Sequence, residues 1–191
     1  MITKREIEGL FGAQLAKIRD GGLREGVVRV WVEGCRKGGW NEITQLQAMP
    51  FTLLTPARGV SFIEHTIAVT EGALALAEAQ RAAYRALPYA IDTDRLVAGG
   101  LLHDVGKLVE IEPDGAGGFR KSRSGKCARH PISGAILVGA AGLPDEVVNM
   151  VACHAKEGEG RPQVIETVFV HQADFATFDP LVMLEKGTLI Q

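Results

Sequence analysis

Apolar residues recur at three- and four-residue steps along most of the chain. Ile7, Leu10, Phe11, Leu15 and Ile18 share one face of a predicted N-terminal helix that stops at Asp20-Gly21-Gly22. The next segment, with Val27, Val28, Val30, Trp31 and Val32, is locally strand-like, but its charges and the Gly38-Gly39 stop favour a buried helix. A loop from Met49 to Gly59 holds Pro50 and Pro56. Ser61 then caps a long helix whose Phe62, His65, Val69, Gly72 and Leu76 share a face, so that His65 points inward. Asp92 or Thr93 caps the following helix, in which Leu96, Val97, Leu101 and Leu102 precede His103, with His103 and Asp104 in its last turn and Gly106 ending the run.

Between Glu110 and Lys126, Pro113-Asp114-Gly115 and Gly117-Gly118 predict a loop or short hairpin. Three more helices are expected, over Pro131–Ala141, Asp145–Ala155 and Val164–Phe178. No segment alternates with period two, so the fold class is all-α. The division expected is an N-terminal helical extension over 1–59 and a catalytic core over 60–191.

The chain's 191 residues can bury a sizeable core, and 46% hydrophobic with 23% charged residues is a globular balance. A net charge of −2 argues against general nucleic-acid binding, which needs a broad basic surface, but leaves room for a single phosphate ester. The three cysteines, Cys35, Cys127 and Cys153, are scattered and lack a CxxC, pointing to a reducing cytoplasm without disulfides or thiolate zinc. The start carries no apolar leader, and no stretch is suited to spanning a membrane.

Chemistry concentrates on the five histidines, each placed on an inward face or at a helix end. Imidazole and carboxylate suit borderline divalent ions such as Fe, Mn, Co, Ni and Zn, and ligands from separate helices can converge in a bundle core. Adjacent helical side chains diverge by about 100°, so His103 and Asp104 can reach one ion only near a helix end. The string Leu101-Leu102-His103-Asp104-Val105-Gly106-Lys107, with His65 upstream and Ala173-Asp174 downstream, resembles the HD superfamily of metal-dependent phosphohydrolases over roughly Phe62 to Phe178.

The resemblance implies a helical bundle of the HD type, with a first ion held by His65, His103, Asp104 and Asp174. His130 and His154 match the two further histidines of the dinuclear branch and would hold a second ion, with Asp104 bridging. Asp104 and Lys107 are then the candidate catalytic residues. Lys107 is placed to contact a phosphate oxygen, with Lys126 and Arg129 as further candidate substrate-binding cations. The basic run from Arg120 to Arg129 reads equally as a cationic lid or a solvated loop. His171, three residues before Asp174, either orients a carboxylate or faces solvent.

These features predict hydrolysis of a phosphomonoester or phosphodiester of a nucleotide or small metabolite by water activated at one or two ions. The stretch Glu157-Gly158-Glu159-Gly160-Arg161-Pro162 echoes a loop of the cyclic-dinucleotide phosphodiesterases of the superfamily. Ala155 and Arg161, however, stand where those enzymes have a histidine and a tyrosine, which argues against that specificity. Alternatives are a di-iron oxygenase of the inositol-oxygenase-like branch and a nucleotide-binding sensor. Residues 1–59 carry no assignable motif and are left as a packing cap or a homodimer surface.

Overall fold

The computed structural model of the chain describes residues 1–158 and 163–190. Part of the loop after His154, including Arg161 and Pro162, lies outside the described residues. Ten helices and one small antiparallel hairpin are found among the described residues, confirming the all-α class.

The caps set the register of the long helices. Thr3 and Glu6 form a reciprocal capping box at the start of α1 (Lys4–Leu15), and Ser61 with Glu64 does the same for α4 (Phe62–Ala83). Helix α1 ends at Leu15, three residues before Ile18, the last of the regularly spaced apolar positions. Asp20 does not terminate it but caps α2 (Gly21–Gly38), its carboxylate accepting from the Leu23 amide. Helix α2 resolves the ambiguous valine-rich segment: Val27, Val30, Trp31, Gly34 and Cys35 are buried at helical spacing, and Gly39 closes it with a left-handed φ of 78°.

After a short α3 (Ile43–Ala48), which the periodicity did not predict, the loop to Gly59 is pinned by a bridge between Pro50 and Ser61. Asp92 is the cap of α5 (Thr93–Leu102). His103 and Asp104 fall just past the last helical turn, in a tight turn that leads into α6 (Lys107–Glu110). Strands β1 (Ile111–Pro113) and β2 (Phe119–Lys121) make the expected hairpin, followed by the one-turn helix α7 (Arg123–Cys127). Helices α8 (His130–Ala140), α9 (Asp145–Cys153) and α10 (Ile165–Glu185) complete the bundle. Helix α10 continues past the predicted end and through Pro180. The carbonyl that this proline leaves without a donor belongs to exposed Ala176, where water can serve it.

Helix α4 packs most extensively against α5 and α10, and α8 against α9. One apolar cluster runs from Ile2 through Trp31, Trp40, Phe62 and Leu101 to Ala173, so the N-terminal helices share the core of the bundle. Two tryptophans, Trp31 on α2 and Trp40 just beyond its end, reach the segment bearing His103 and Asp104. Trp31 donates its indole N–H to the Leu101 carbonyl at 3.0 Å, and Trp40 donates to the Leu108 carbonyl at 2.7 Å. The carbonyls at the end of α5 lack helical partners, and Trp31 supplies one in the dry core. Trp31→Phe, which leaves that carbonyl unsatisfied, is expected to cost about 1–3 kcal/mol of stability, measured by urea unfolding.

The turn after Asp104 needs glycine at Gly106. A Cβ there would sit 2.0 Å from the His130 carbonyl oxygen and 2.6 Å from the Gly134 amide nitrogen. This close approach brings the start of α8, and with it His130, up to the His103-Asp104 turn.

Candidate metal centre

Five elements converge on Asp104. His65 comes from the first turns of α4, His103 and Asp104 from the turn between α5 and α6, and His130 from the first residue of α8. His154 caps the end of α9, and Asp174 lies on α10. The four histidines and Asp104 are all buried.

The carboxylate of Asp104 is shared between two sets of imidazoles. Its Oδ2 lies 3.3 Å from His65 Nε2 and 3.4 Å from His103 Nε2. Its Oδ1 lies 3.2 Å from His130 Nε2 and 3.5 Å from His154 Nε2. Asp174 Oδ1 is 3.2 Å from His65 Nε2, on the side of the first set. All six residues proposed as ligands from sequence are therefore brought together.

The outer nitrogens of the four rings are engaged elsewhere, which orients the inner ones. His103 Nδ1–H donates to the Gly100 carbonyl at 2.7 Å and His154 Nδ1–H to the Val151 carbonyl at 2.8 Å. His130 Nδ1 is 3.0 Å from Glu110 Oε2. The Thr177 hydroxyl donates to the Asp174 carbonyl, leaving its oxygen, 3.3 Å from His65 Nδ1, to accept. With each Nδ1 acting as donor, the neutral form of each ring turns its Nε2 lone pair toward Asp104, and the protonated form donates from that nitrogen to a carboxylate, as His65 does to Asp174.

A carboxylate oxygen facing imidazole lone pairs is a meeting of acceptors, stable only with positive charge between them. Among the described residues, Asp104 Oδ1 and His154 Nε2 are buried without a hydrogen-bond partner, a costly state unless something else satisfies them. Two groups, His65/His103/Asp104 and Asp104/His130/His154, each bring their ligand atoms within 4.8 Å of one another. Imidazole nitrogen and carboxylate oxygen are the donors that borderline divalent ions take, so the residues present fit a divalent metal.

The electrostatics express the same demand. Burial opposes the charge on Asp104, but the Lys107 ammonium and the His103 and His130 rings outweigh it and hold the carboxyl well below its usual range. Burial likewise works against Asp174, yet its hydrogen bond to His65 and the field of His103 bring it to about 2. For His65, burial disfavours the proton, whereas Asp104 and Asp174 raise the pKa overall. His130 shifts the other way, because burial dominates over the pull of Asp104 and Glu110.

Beside the centre lies a cleft of about 640 Å³ whose lining includes Lys107, Lys121, Arg129, His130 and Asp174. Lys107 is ion-paired to Asp104 Oδ2 and stands over the Phe51 ring at 5.7 Å. Arg129 Nε is 3.1 Å from Glu110. Lys126 is not brought to the cleft: it sits exposed on α7. Lys121 takes that place, 3.3 Å from Glu110 Oε1. Among the described residues, His171 orients no carboxylate. Its Nδ1–H donates to the His154 carbonyl at 2.5 Å, tying α10 to the end of α9.

Sequence reasoning missed Glu110 and Phe51. Glu110 accepts from the backbone N–H of His130 at 2.5 Å as well as from its ring, and it also pairs with Lys121 and Arg129. Burial disfavours its charge, but the His130 hydrogen bonds and Arg129 bring its pKa down to about 2. A signal was available: a single carboxylate between Leu108-Val109 and Ile111 in an otherwise apolar run. Phe51, buried, packs its ring on His65 with centroids 4.5 Å apart; nothing local in the Met49–Gly59 loop marks it. Glu110→Gln removes the charge that holds His130 and both cations. Metal affinity is expected to fall about 10–100-fold, read by competition with a metal-binding dye.

The HD domain family model matches residues 62–176. Among curated proteins, the chain is similar to ribonuclease Y of Pseudothermotoga lettingae, 33% identical over 116 residues, covering 61% of this chain and 18% of the relative. It is also similar to ribonuclease Y of Thermotoga petrophila, 33% identical over 93 residues, 49% of this chain and 15% of the relative. With ribonuclease Y of Fervidobacterium nodosum it is 32% identical over 96 residues, 50% of this chain and 16% of the relative. The chain thus spans less than a fifth of the length of these relatives. No solved structure matches it. Among the described residues, no helix is long and apolar enough to cross a membrane. The matched segment contains His65, His103, Asp104, His130, His154 and Asp174, and the chain belongs to the HD domain family.

Proposed function

We propose that this chain is a metal-dependent phosphohydrolase that cleaves a phosphoester of a nucleotide or small metabolite at a two-ion centre bridged by Asp104. The observation that carries the reading is the division of the Asp104 carboxylate, one oxygen toward His65 and His103 and the other toward His130 and His154. Asp174 completes the first set. Bound there, divalent ions would activate water and neutralise the phosphate.

The chain's own residues do the rest. Histidines fixed through their Nδ1 atoms keep the ligand geometry from relaxing, which preserves the preorganisation on which electrostatic catalysis depends. Lys107, with its side chain 12% exposed at the floor of the cleft, is in position to donate to a non-bridging phosphate oxygen. Arg129 and Lys121, held by Glu110, supply charge-assisted contacts farther out. In the reaction, a water oxygen bonds to phosphorus as the ester P–O bond breaks, and the leaving oxygen takes up a proton. Among the described residues, the cleft is lined by the cations Lys107, Lys121, Arg129 and Lys156 and by the carboxylates Glu110 and Asp174, a balance suited to an anion.

The likeness to proteins named ribonuclease Y favours a second reading, in which the ester is an RNA phosphodiester. The net charge of −2 supports a small substrate over a polymer, because it offers little to a long phosphate backbone. We assign residues 1–59 the role of a scaffold whose tryptophans position the His103-Asp104 turn.

The test is metal analysis of protein purified without chelator, followed by a panel of nucleoside monophosphates, cyclic nucleotides, aryl phosphates and a short oligoribonucleotide, with and without oxygen. Oxygen-independent release of phosphate or of a nucleotide is expected. Turnover that requires oxygen would replace the hydrolase with an oxygenase.

A further inference from the structure

The lining of the cleft beside Asp104 is of two kinds: cationic, from Lys107, Lys121 and Arg129, and apolar, from Leu53, Leu54, Phe175 and Phe178. Leu53 and Leu54 are 42% and 72% exposed, which is unusual for adjacent leucines in a loop that is otherwise pinned. The pinning is specific: the Leu54 amide donates to Thr52 Oγ1 at 3.1 Å, and the Phe62 amide donates to the Met49 carbonyl at 2.7 Å. These leucines therefore have a fixed place at the lip of the cleft.

The rings of Phe175 and Phe178 are also held. Phe178 meets Phe51 edge to face, with centroids 6.2 Å apart and planes at 77°, and Phe175 lies against His171 at 4.5 Å. Phe175 directly follows Asp174 on α10, and Phe178 lies one turn farther on, so the turn that offers a ligand to the metal centre also offers an aromatic surface. Leu53, Leu54 and Phe178 lie outside the segment matched by the family model, residues 62–176.

Resting on the phosphohydrolase reading above, we infer that the apolar lining is a specificity subsite for a planar aromatic group carried by the phosphoester, seated against Leu53, Leu54, Phe175 and Phe178 while the phosphate lies against the cations. The cleft volume, about 640 Å³, is within the range of small-molecule sites, about 300–1,000 Å³. Rigid apolar side chains stabilise a flat ring by burial and by offset or edge-on contact. A short alkyl phosphoester would leave the apolar lining wet.

The test uses two probes whose C–P bond the enzyme cannot hydrolyse, phenylphosphonate and methylphosphonate, titrated calorimetrically into the metal-loaded chain. Phenylphosphonate is expected to bind at least tenfold tighter, equivalent to about 1.4 kcal/mol. In Leu53→Ser/Leu54→Ser, whose changes are at exposed positions, the preference should fall below threefold; Phe178→Leu should reduce it as well. Equal affinity of the wild-type chain for both probes would overturn the subsite and leave the hydrolase reading standing. So would a tenfold preference that persists in the leucine variant. Binding of neither probe to the metal-loaded chain would overturn both.

Discussion

Replacing Asp104 by alanine is expected to abolish hydrolysis, with a loss of at least about a thousandfold, and to release both metal ions. Asp104 differs from the other five candidate ligands in facing both sets of histidines, so its loss takes an oxygen from each set at once. A catalytic contribution of several kcal/mol from the metal converts to that factor at about 1.4 kcal/mol per tenfold. The variant should still fold. Without the carboxylate, Lys107 can turn to solvent at the cleft, and the imidazoles can remain neutral. Thermal unfolding with and without chelator separates folding from metal binding. A ligand present at a hundred times its Kd stabilises by about 2.7 kcal/mol, which in a chain of this size is roughly 5–10 °C in Tm. Chelator should lower the Tm of the wild-type chain by that much and leave Asp104→Ala unmoved.

Lys107→Ala is expected to lower kcat by about a hundredfold while the metal content stays full. Losing one preorganised donor to the developing phosphate charge typically costs about a hundred- to a thousandfold in rate. The sign of the metal effect is distinctive. Lys107 is ion-paired to Asp104 Oδ2, the oxygen that faces His65 and His103, so in the metal-free chain it competes with a cation for that oxygen. Removing it should leave metal affinity unchanged or raised, opposite to Asp104→Ala. Arg129 stands farther out, paired with Glu110, and Arg129→Ala should raise KM more than it lowers kcat. Inorganic phosphate at millimolar concentration should inhibit the wild-type chain and inhibit both variants less. Steady-state kinetics with an aryl phosphate and a nucleotide reads all three effects.

The features legible in the sequence are those set by short-range physics. Ser61 and Asp92 mark helix starts because a side-chain oxygen answers an unpaired amide within three residues. The His103-Asp104-Val105-Gly106-Lys107 string is legible because a close approach demands Gly106, and the approaching element, the start of α8, carries His130. The valine-rich α2 was ambiguous because β-branching favours strands locally, and tertiary burial of Trp31 and Cys35 decides for helix. The misplacement of Lys126 has a similar cause. Read as one basic run, Arg120 to Arg129 gives no sign of which side chains turn inward. In the hairpin, Lys121 pairs in register with buried Ile111, whereas Arg120 pairs with Glu112 on the outer face, and Lys126 falls on the exposed side of α7. The roles of Glu110 and Phe51 rest on contacts 20 and 14 positions away in the chain, Glu110 with His130 and Phe51 with His65; the apolar neighbours of Glu110 mark it locally, whereas nothing local marks Phe51.

The central claim is that Asp104 bridges two ions, and the number of ions per chain tests it most directly. Metal analysis by mass spectrometry, after loading with excess metal and removal of the unbound fraction, should give two ions per wild-type chain, one in His130→Ala and none in Asp104→Ala. One ion in the wild-type chain, unchanged in His130→Ala, would contradict the bridge, and full occupancy in Asp104→Ala would contradict the centre itself.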